Sequence, residues 1–127
     1  MNAAVRREGR PVTIASLSRD LDRALIAPAR LFVVTLLAEM HWCEFAFVCD
    51  VLNVTPAALS DQLAKLRKAG VVETHRSKGR TWVRLTPTGC ERLAKHLEAL
   101  QAVVSRAAEL VASGAAGCDG PPAGDDV

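Results

Sequence analysis

Thr55-Pro56-Ala57-Ala58-Leu59-Ser60-Asp61-Gln62-Leu63-Ala64-Lys65-Leu66-Arg67-Lys68-Ala69-Gly70 is the stretch that decides how this chain folds. Thr55 supplies a hydroxyl N-cap, and Pro56 costs nothing at the first helical position, whose N–H has no partner in any case. Leu59, Leu63 and Leu66 then recur at helical spacing, which makes one face apolar. Gly70 stops the helix, because glycine takes the left-handed C′ position without strain. Just upstream, the apolar run 44–52 predicts a short helix, and Asn53 after it tolerates the left-handed backbone of a tight turn. Two helices joined through Asn53-Val54 make a helix-turn-helix.

Further upstream, Leu17, Leu21 and Leu25 recur every four residues, predicting an amphipathic helix capped by Ser16 or Ser18. Pro28 opens the next helix, with Leu31, Val34 and Leu37 as its inner stripe, and it runs out near Met40-His41. Downstream of Gly70, the β-type runs 71–76 and 81–85 flank Ser77-Lys78-Gly79-Arg80 and predict a hairpin with glycine in its loop. Thr86-Pro87 or Thr88 starts a long last helix. Its apolar residues Leu93, Leu97, Leu100, Val104, Ala107 and Val111 follow the a/d spacing of a coiled-coil seam. The fold class is mainly α with a small β-hairpin (α+β). Residues 1–13 read as a flexible basic arm, 14–112 as the folded domain and 113–127 as a disordered tail.

Composition agrees with one helical domain. Half of the 127 residues are hydrophobic but only 4% are aromatic, with no Tyr, so the core is built of Leu, Val and Ala. No apolar run spans a bilayer and the N-terminus lacks a secretory pattern, so a cytoplasmic protein is expected. The net charge of +2 is unevenly spread. Residues 31–61 hold no Lys or Arg, whereas 62–84 hold Lys65, Arg67, Lys68, Arg76, Lys78, Arg80 and Arg84 against Glu73 alone. Such a concentrated basic segment attracts a phosphate backbone.

Taken together, Pro28-Ala29-Arg30-Leu31, Phe45-Ala46-Phe47-Val48, Leu59 to Leu66, Ala69-Gly70-Val71-Val72 and Arg80 to Gly89 resemble winged helix-turn-helix regulators related to the MarR and ArsR families. The likeness covers roughly residues 20–100. It implies a winged helix-turn-helix fold with a long C-terminal dimerisation helix, and duplex DNA as the partner. It does not point to a target gene. One departure is Asp61, where the family often has a basic or neutral residue. A carboxylate near phosphates costs affinity unless it accepts from a cytosine amino group or pairs with a neighbouring Lys or Arg.

On this reading the recognition helix displays Thr55, Ala57, Ala58, Asp61, Gln62 and Lys65 opposite its leucines. Gln62 is suited to read adenine, Ala57 and Ala58 to touch thymine methyls, and Thr55 and Ser60 to hold phosphates. The wing, Arg76, Lys78, Gly79 and Arg80, would follow the backbone or enter the minor groove, with Arg6, Arg7 and Arg10 as candidate extra contacts. Alternation sets Trp82 and Arg84 on the strand face opposite Val83 and Leu85. One domain reads too few bases, so the seam Leu93, Leu97, Leu100, Val104, Ala107 and Val111, supported by Leu17, Leu21 and Leu25, is expected to pair two chains and set two recognition helices about 34 Å apart.

Cys43, Cys49, His41 and His75 are soft ligands without metal-site spacing, and no cofactor is expected. Redox sensing through Cys43, Cys49 or Cys90 would need an exposed thiol in an electropositive setting. Neither a Gly-rich phosphate loop nor HExxH nor Gly-x-Ser-x-Gly is present, so no enzyme is expected. The alternatives kept open are a winged module that binds protein, and a metal- or redox-responsive regulator. A small-molecule effector remains open, without a polar constellation to identify it.

Overall fold

The structure, a computed structural model, describes residues 13–114. The chain runs α1 (Ile14–Asp20), α2 (Pro28–Ala38), β1 (Cys43–Glu44), α3 (Phe45–Leu52), α4 (Pro56–Lys68), β2 (Val72–Ser77), β3 (Arg80–Leu85) and α5 (Pro87–Ala112). The expected arm residues Arg6, Arg7 and Arg10, most of the expected tail, and Cys118 lie outside the described residues.

The local signals around α4 act as their chemistry dictates. The Thr55 hydroxyl accepts from the Ala58 N–H at 3.1 Å. Asn53 sits at φ 53° in the turn between α3 and α4, and Gly70 at φ 77° just after α4, so the two left-handed positions bracket α4. Leu59, Leu63 and Leu66 are buried. They pack with Leu25, Val33, Val34, Leu37, Val48, Val71, Val72, Val83 and Leu93 in one core. Each fully buried leucine there contributes roughly 1.5–3 kcal/mol of transfer free energy.

Three expectations need correction. α1 is capped by Thr13, not by Ser16 or Ser18: Thr13 and Ser16 form a reciprocal capping box, and Leu21 is already extended at ψ 141°. Thr13 therefore belongs to the helix start and not to an arm. The repeat Leu17, Leu21, Leu25 does not lie on one helix, because α1 ends at Asp20 and Leu25 reaches the core from the connector. Second, the sheet has three strands in the order β1-β3-β2. β1 pairs antiparallel with β3 through Cys43 opposite Val83 and Glu44 opposite Trp82, which a two-residue strand cannot announce by periodicity. Third, the hairpin loop is shorter than read. Ser77 and Arg80 are paired, leaving Lys78 and Gly79 as a two-residue turn. Both have positive φ, 53° and 77°, as the right-handed twist of a tight hairpin requires.

α5 is anchored at its start by a cap and a close backbone approach. The Thr86 hydroxyl accepts from the Gly89 N–H and donates to the Gly70 carbonyl at 2.6 Å. Gly89 lies so close to the Val71 carbonyl that a Cβ would overlap it. Beyond Ala99 the helix packs against α1: Leu17 and Leu21 face Val103 and Leu110 across a shallow groove. No helix among the described residues is long and apolar enough to cross a membrane.

Candidate nucleic-acid interface

α4 presents a polar face beside the hairpin. Ala57, Ala58, Ser60, Asp61 and Lys65 are exposed, as is Thr55, which caps the helix start. Pro56 has no N–H, Ala58 donates to Thr55, and Leu59 already bonds the Thr55 carbonyl. Ala57 thus keeps the open N–H of the first turn.

The hairpin closes a cleft against this face. Ser60, Arg67, Thr74, Arg76 and Thr81 line it over a floor of Phe45 and Leu63, and its volume is about 380 Å³. Arg67 donates to the Thr74 hydroxyl at 3.2 Å and Arg76 to the Thr81 hydroxyl at 3.0 Å. Those neutral partners orient both guanidinium groups without cancelling their charge. Arg67 belongs to the basic segment, but its sequence position alone does not mark it as a contact. The signal was weak because it sits in the last turn of α4, where cations complement the helix dipole in any case.

The rest of the basic segment is divided. Lys65 pairs with Asp61 at 3.3 Å, Arg80 with Glu44 at 3.6 Å, and Arg84 with Glu73 at 2.6 Å. Among the described residues, Arg67, Lys68, Arg76 and Lys78 form no such pair. Asp61 thus meets the condition set for it, a neighbouring lysine that takes up its charge. The wing residues also part company: Arg76 faces the α4 cleft, whereas Lys78 and Arg80 border a hollow on the other side of the sheet.

Gln62 is not on the open face. It is half-buried on the α2 side of α4, where its Oε1 accepts from Arg30 Nη1 at 3.1 Å. Arg30 is held in turn by Nε donating to the Ala24 carbonyl at 2.7 Å. The helix rotation that buries Leu59, Leu63 and Leu66 swings position 62 towards α2, and Arg30 supplies its partner. Sequence spacing showed the helix face but not the neighbour.

The proposed pairing seam is divided as well. Leu93, Leu17 and Leu25 are buried within the chain, Leu21 and Leu100 are half-buried, and Ala107 is exposed. Leu97, Val104 and Val111 stand exposed at 44%, 64% and 69%. They recur every seven residues, so a heptad stripe is left open along α5.

One polar cluster lies apart from this surface. His96 is buried in α5, and its Nδ1 accepts from the Asp22 N–H at 3.0 Å. Burial depresses its pKa below the usual 6.5, while the Asp22 charge opposes that. Arg92 holds the Asp22 carboxylate and lowers its pKa, against the effect of burial. Cys43 and Cys49 are buried with raised pKa values, through desolvation first and then Glu44 and Asp50 respectively. Neither has the thiolate character of a redox sensor. Cys90 is exposed. Among the described residues, no three His, Cys, Asp or Glu side chains gather as a metal site.

Residues 29–104 match the family of winged helix DNA-binding domains. An uncharacterized protein of Methanocaldococcus jannaschii is 38% identical over 64 residues, 47% of this chain and 70% of that protein. A transcriptional regulator homologue from Pyrococcus horikoshii superposes with a TM-score of 0.66 at 26% identity, over 72% of this chain and 92% of its own. A zinc-responsive MarR family member from Lactococcus lactis shares the fold, with a TM-score of 0.51 at 19% identity over 67% of this chain and 60% of its own.

Proposed function

We propose that this chain, which belongs to the winged helix DNA-binding domain family, is a homodimeric transcription regulator that binds duplex DNA in the cytoplasm and catalyses no reaction. The observation that carries the reading is the α4–hairpin cleft, where Ser60, Arg67 and Arg76 converge with two uncancelled guanidinium charges. The likeness to a transcriptional regulator homologue supports it.

In this reading α4 enters the major groove, which is wide enough for a helix. Ala57, Ala58 and the Asp61–Lys65 pair face base edges. Ala58 meets a thymine methyl, and Asp61 accepts from a cytosine amino group when Lys65 swings to a phosphate. Thr55, the open Ala57 N–H and Ser60 hold phosphates at the helix start. Arg67 and Arg76 grip the backbone between helix and wing, while Lys78 and Gly79 at the hairpin tip reach the adjacent strand or minor groove. Gln62 acts through Arg30, keeping that cation beside the reading head, with its own amide N–H₂ left to donate. The exposed stripe Leu97, Val104 and Val111 pairs two copies, so that two α4 helices meet successive major grooves.

The test is a salt titration of the purified protein against a random-sequence duplex and a fragment upstream of its own gene. Binding should weaken steeply with salt, and the log–log slope should fall by about one for Arg76→Ala. If neither duplex binds even at low salt, the reading fails and protein partners become the target of search.

A further inference from the structure

The outer face of the sheet carries a cluster for which the DNA-binding reading has no use. Trp82, in the middle strand, stands opposite His75 on one neighbour and Glu44 on the other. Trp42, just before β1, brings its ring to 5.9 Å from that of His75, tilted by 51°. The Arg84 guanidinium lies 4.9 Å from the Trp42 ring centre and is itself fixed by Glu73. With Ser77, Lys78 and Arg80 the three rings line a hollow of about 600 Å³, a size typical of small-ligand sites.

The core does not need these rings. Val72, Cys43 and Val83 already fill the inner side of the sheet. Two indoles and an imidazole held at the surface, one of them pinned by a cation, form a preorganised set of flat π faces. Charge at the rim is also selective. Arg80 shares its charge with Glu44, whereas Lys78 has no ion pair among the described residues. The Ser77 hydroxyl adds a donor.

We propose that this hollow binds a planar aromatic anion, its rings stacked among Trp42, His75 and Trp82 and its negative group held by Lys78 and Ser77. Lys78 is also the hairpin-tip cation assigned to DNA, so an occupied hollow competes with phosphate for it. That consequence rests on the DNA-binding reading; the site itself does not.

Both tryptophans of the chain line the hollow and there is no tyrosine, so indole emission reports on this place. The experiment titrates 2-naphthoate, neutral 2-naphthylmethanol and non-planar cyclohexanecarboxylate, by calorimetry and by emission. The naphthoate should bind best of the three and perturb the indole emission. Trp82→Leu should weaken it by about tenfold, a loss matching removal of one stacking partner. Lys78→Asn, at a turn position asparagine accepts, should weaken naphthoate several-fold and leave naphthylmethanol unchanged. No heat and no emission change at roughly 1 mM, equal binding of cyclohexanecarboxylate, or indifference to Trp82→Leu overturns the proposal. So does a thymidine oligomer that binds through the tryptophans while naphthoate does not. Duplex binding is measured in parallel without naphthoate. Duplex binding with no naphthoate binding sinks this site alone, and the reverse pattern sinks the regulator reading alone.

Discussion

Arg92 holds Asp22 with two hydrogen bonds of 2.8 Å, Nε to Oδ2 and Nη2 to Oδ1, across a sequence separation of 70 residues. The remaining Nη1 donates to the Ala69 carbonyl at 2.6 Å, at the end of α4. One guanidinium therefore ties the α1–α2 connector, the end of α4 and α5 together. Asp22 is mostly covered, with a side-chain exposure of 14%. Arg92→Ala should cost about 2–4 kcal/mol, because it leaves that carboxylate short of its partner. Chemical denaturation of the two proteins checks the figure.

His96 and Asp22 each make stability depend on pH. The folded-state pKa of His96 is depressed below 6.5, so under mild acid the unfolded chain binds the proton more readily. Stability then falls as pH drops below about 6.5, until the folded-state pKa is passed. Asp22 is also depressed in the folded state, so its stabilisation is present above 3.8 and is lost as pH falls below that value. Thermal melts from pH 7.5 to 5 should show a downward slope that His96→Leu flattens. An unchanged slope in that variant would mean that another group titrates.

Gly89 has no room for a side chain, since a Cβ there would overlap the Val71 carbonyl. That carbonyl also accepts from the Thr86 N–H at 2.9 Å and cannot move freely. Gly89→Ala should destabilise by roughly 1–3 kcal/mol despite alanine's better helix propensity. A melting temperature at or above that of the wild type would refute the close approach.

The α5 stripe makes a sharper claim about assembly. Val104→Glu places a charge in the middle of the proposed seam at a residue 64% exposed in the single chain. The fold should survive with a stability change within about 0.5 kcal/mol for the monomer, while sedimentation shifts from dimer to monomer. A Val104→Glu protein that still sediments as a dimer would move the interface elsewhere.

On α4, Asp61 and Lys65 form an exposed pair that contributes only about 0–1 kcal/mol to stability. Asp61→Asn should leave the melting temperature nearly unchanged and strengthen non-specific duplex binding, since Lys65 is then uncompensated. It should also relax base preference at one position, read by competition among duplexes that differ there.

What the sequence settled by itself was local. The caps Thr55 and Thr86, the left-handed Asn53 and Gly70, and the leucine period of α4 each act within a few residues, through dihedral preference and hydrogen bonds to the nearest backbone. That was enough for the helix order, the hairpin, the family resemblance and the exposed placement of Ser60, Asp61 and Lys65. Tertiary structure decided whatever depends on partners distant in sequence. Leu17, Leu21 and Leu25 have helical spacing, yet Asp22 is drawn to Arg92 and its N–H to His96, and the helix ends at Asp20. Leu93 and Leu97 share one heptad pattern, but the fold buries the first and exposes the second. Gln62 turned to Arg30, and Trp42 met His75 beside Trp82, only because a third strand joined the hairpin. Periodicity names the apolar face of an element; which neighbour covers that face is fixed by packing, which no local spacing encodes.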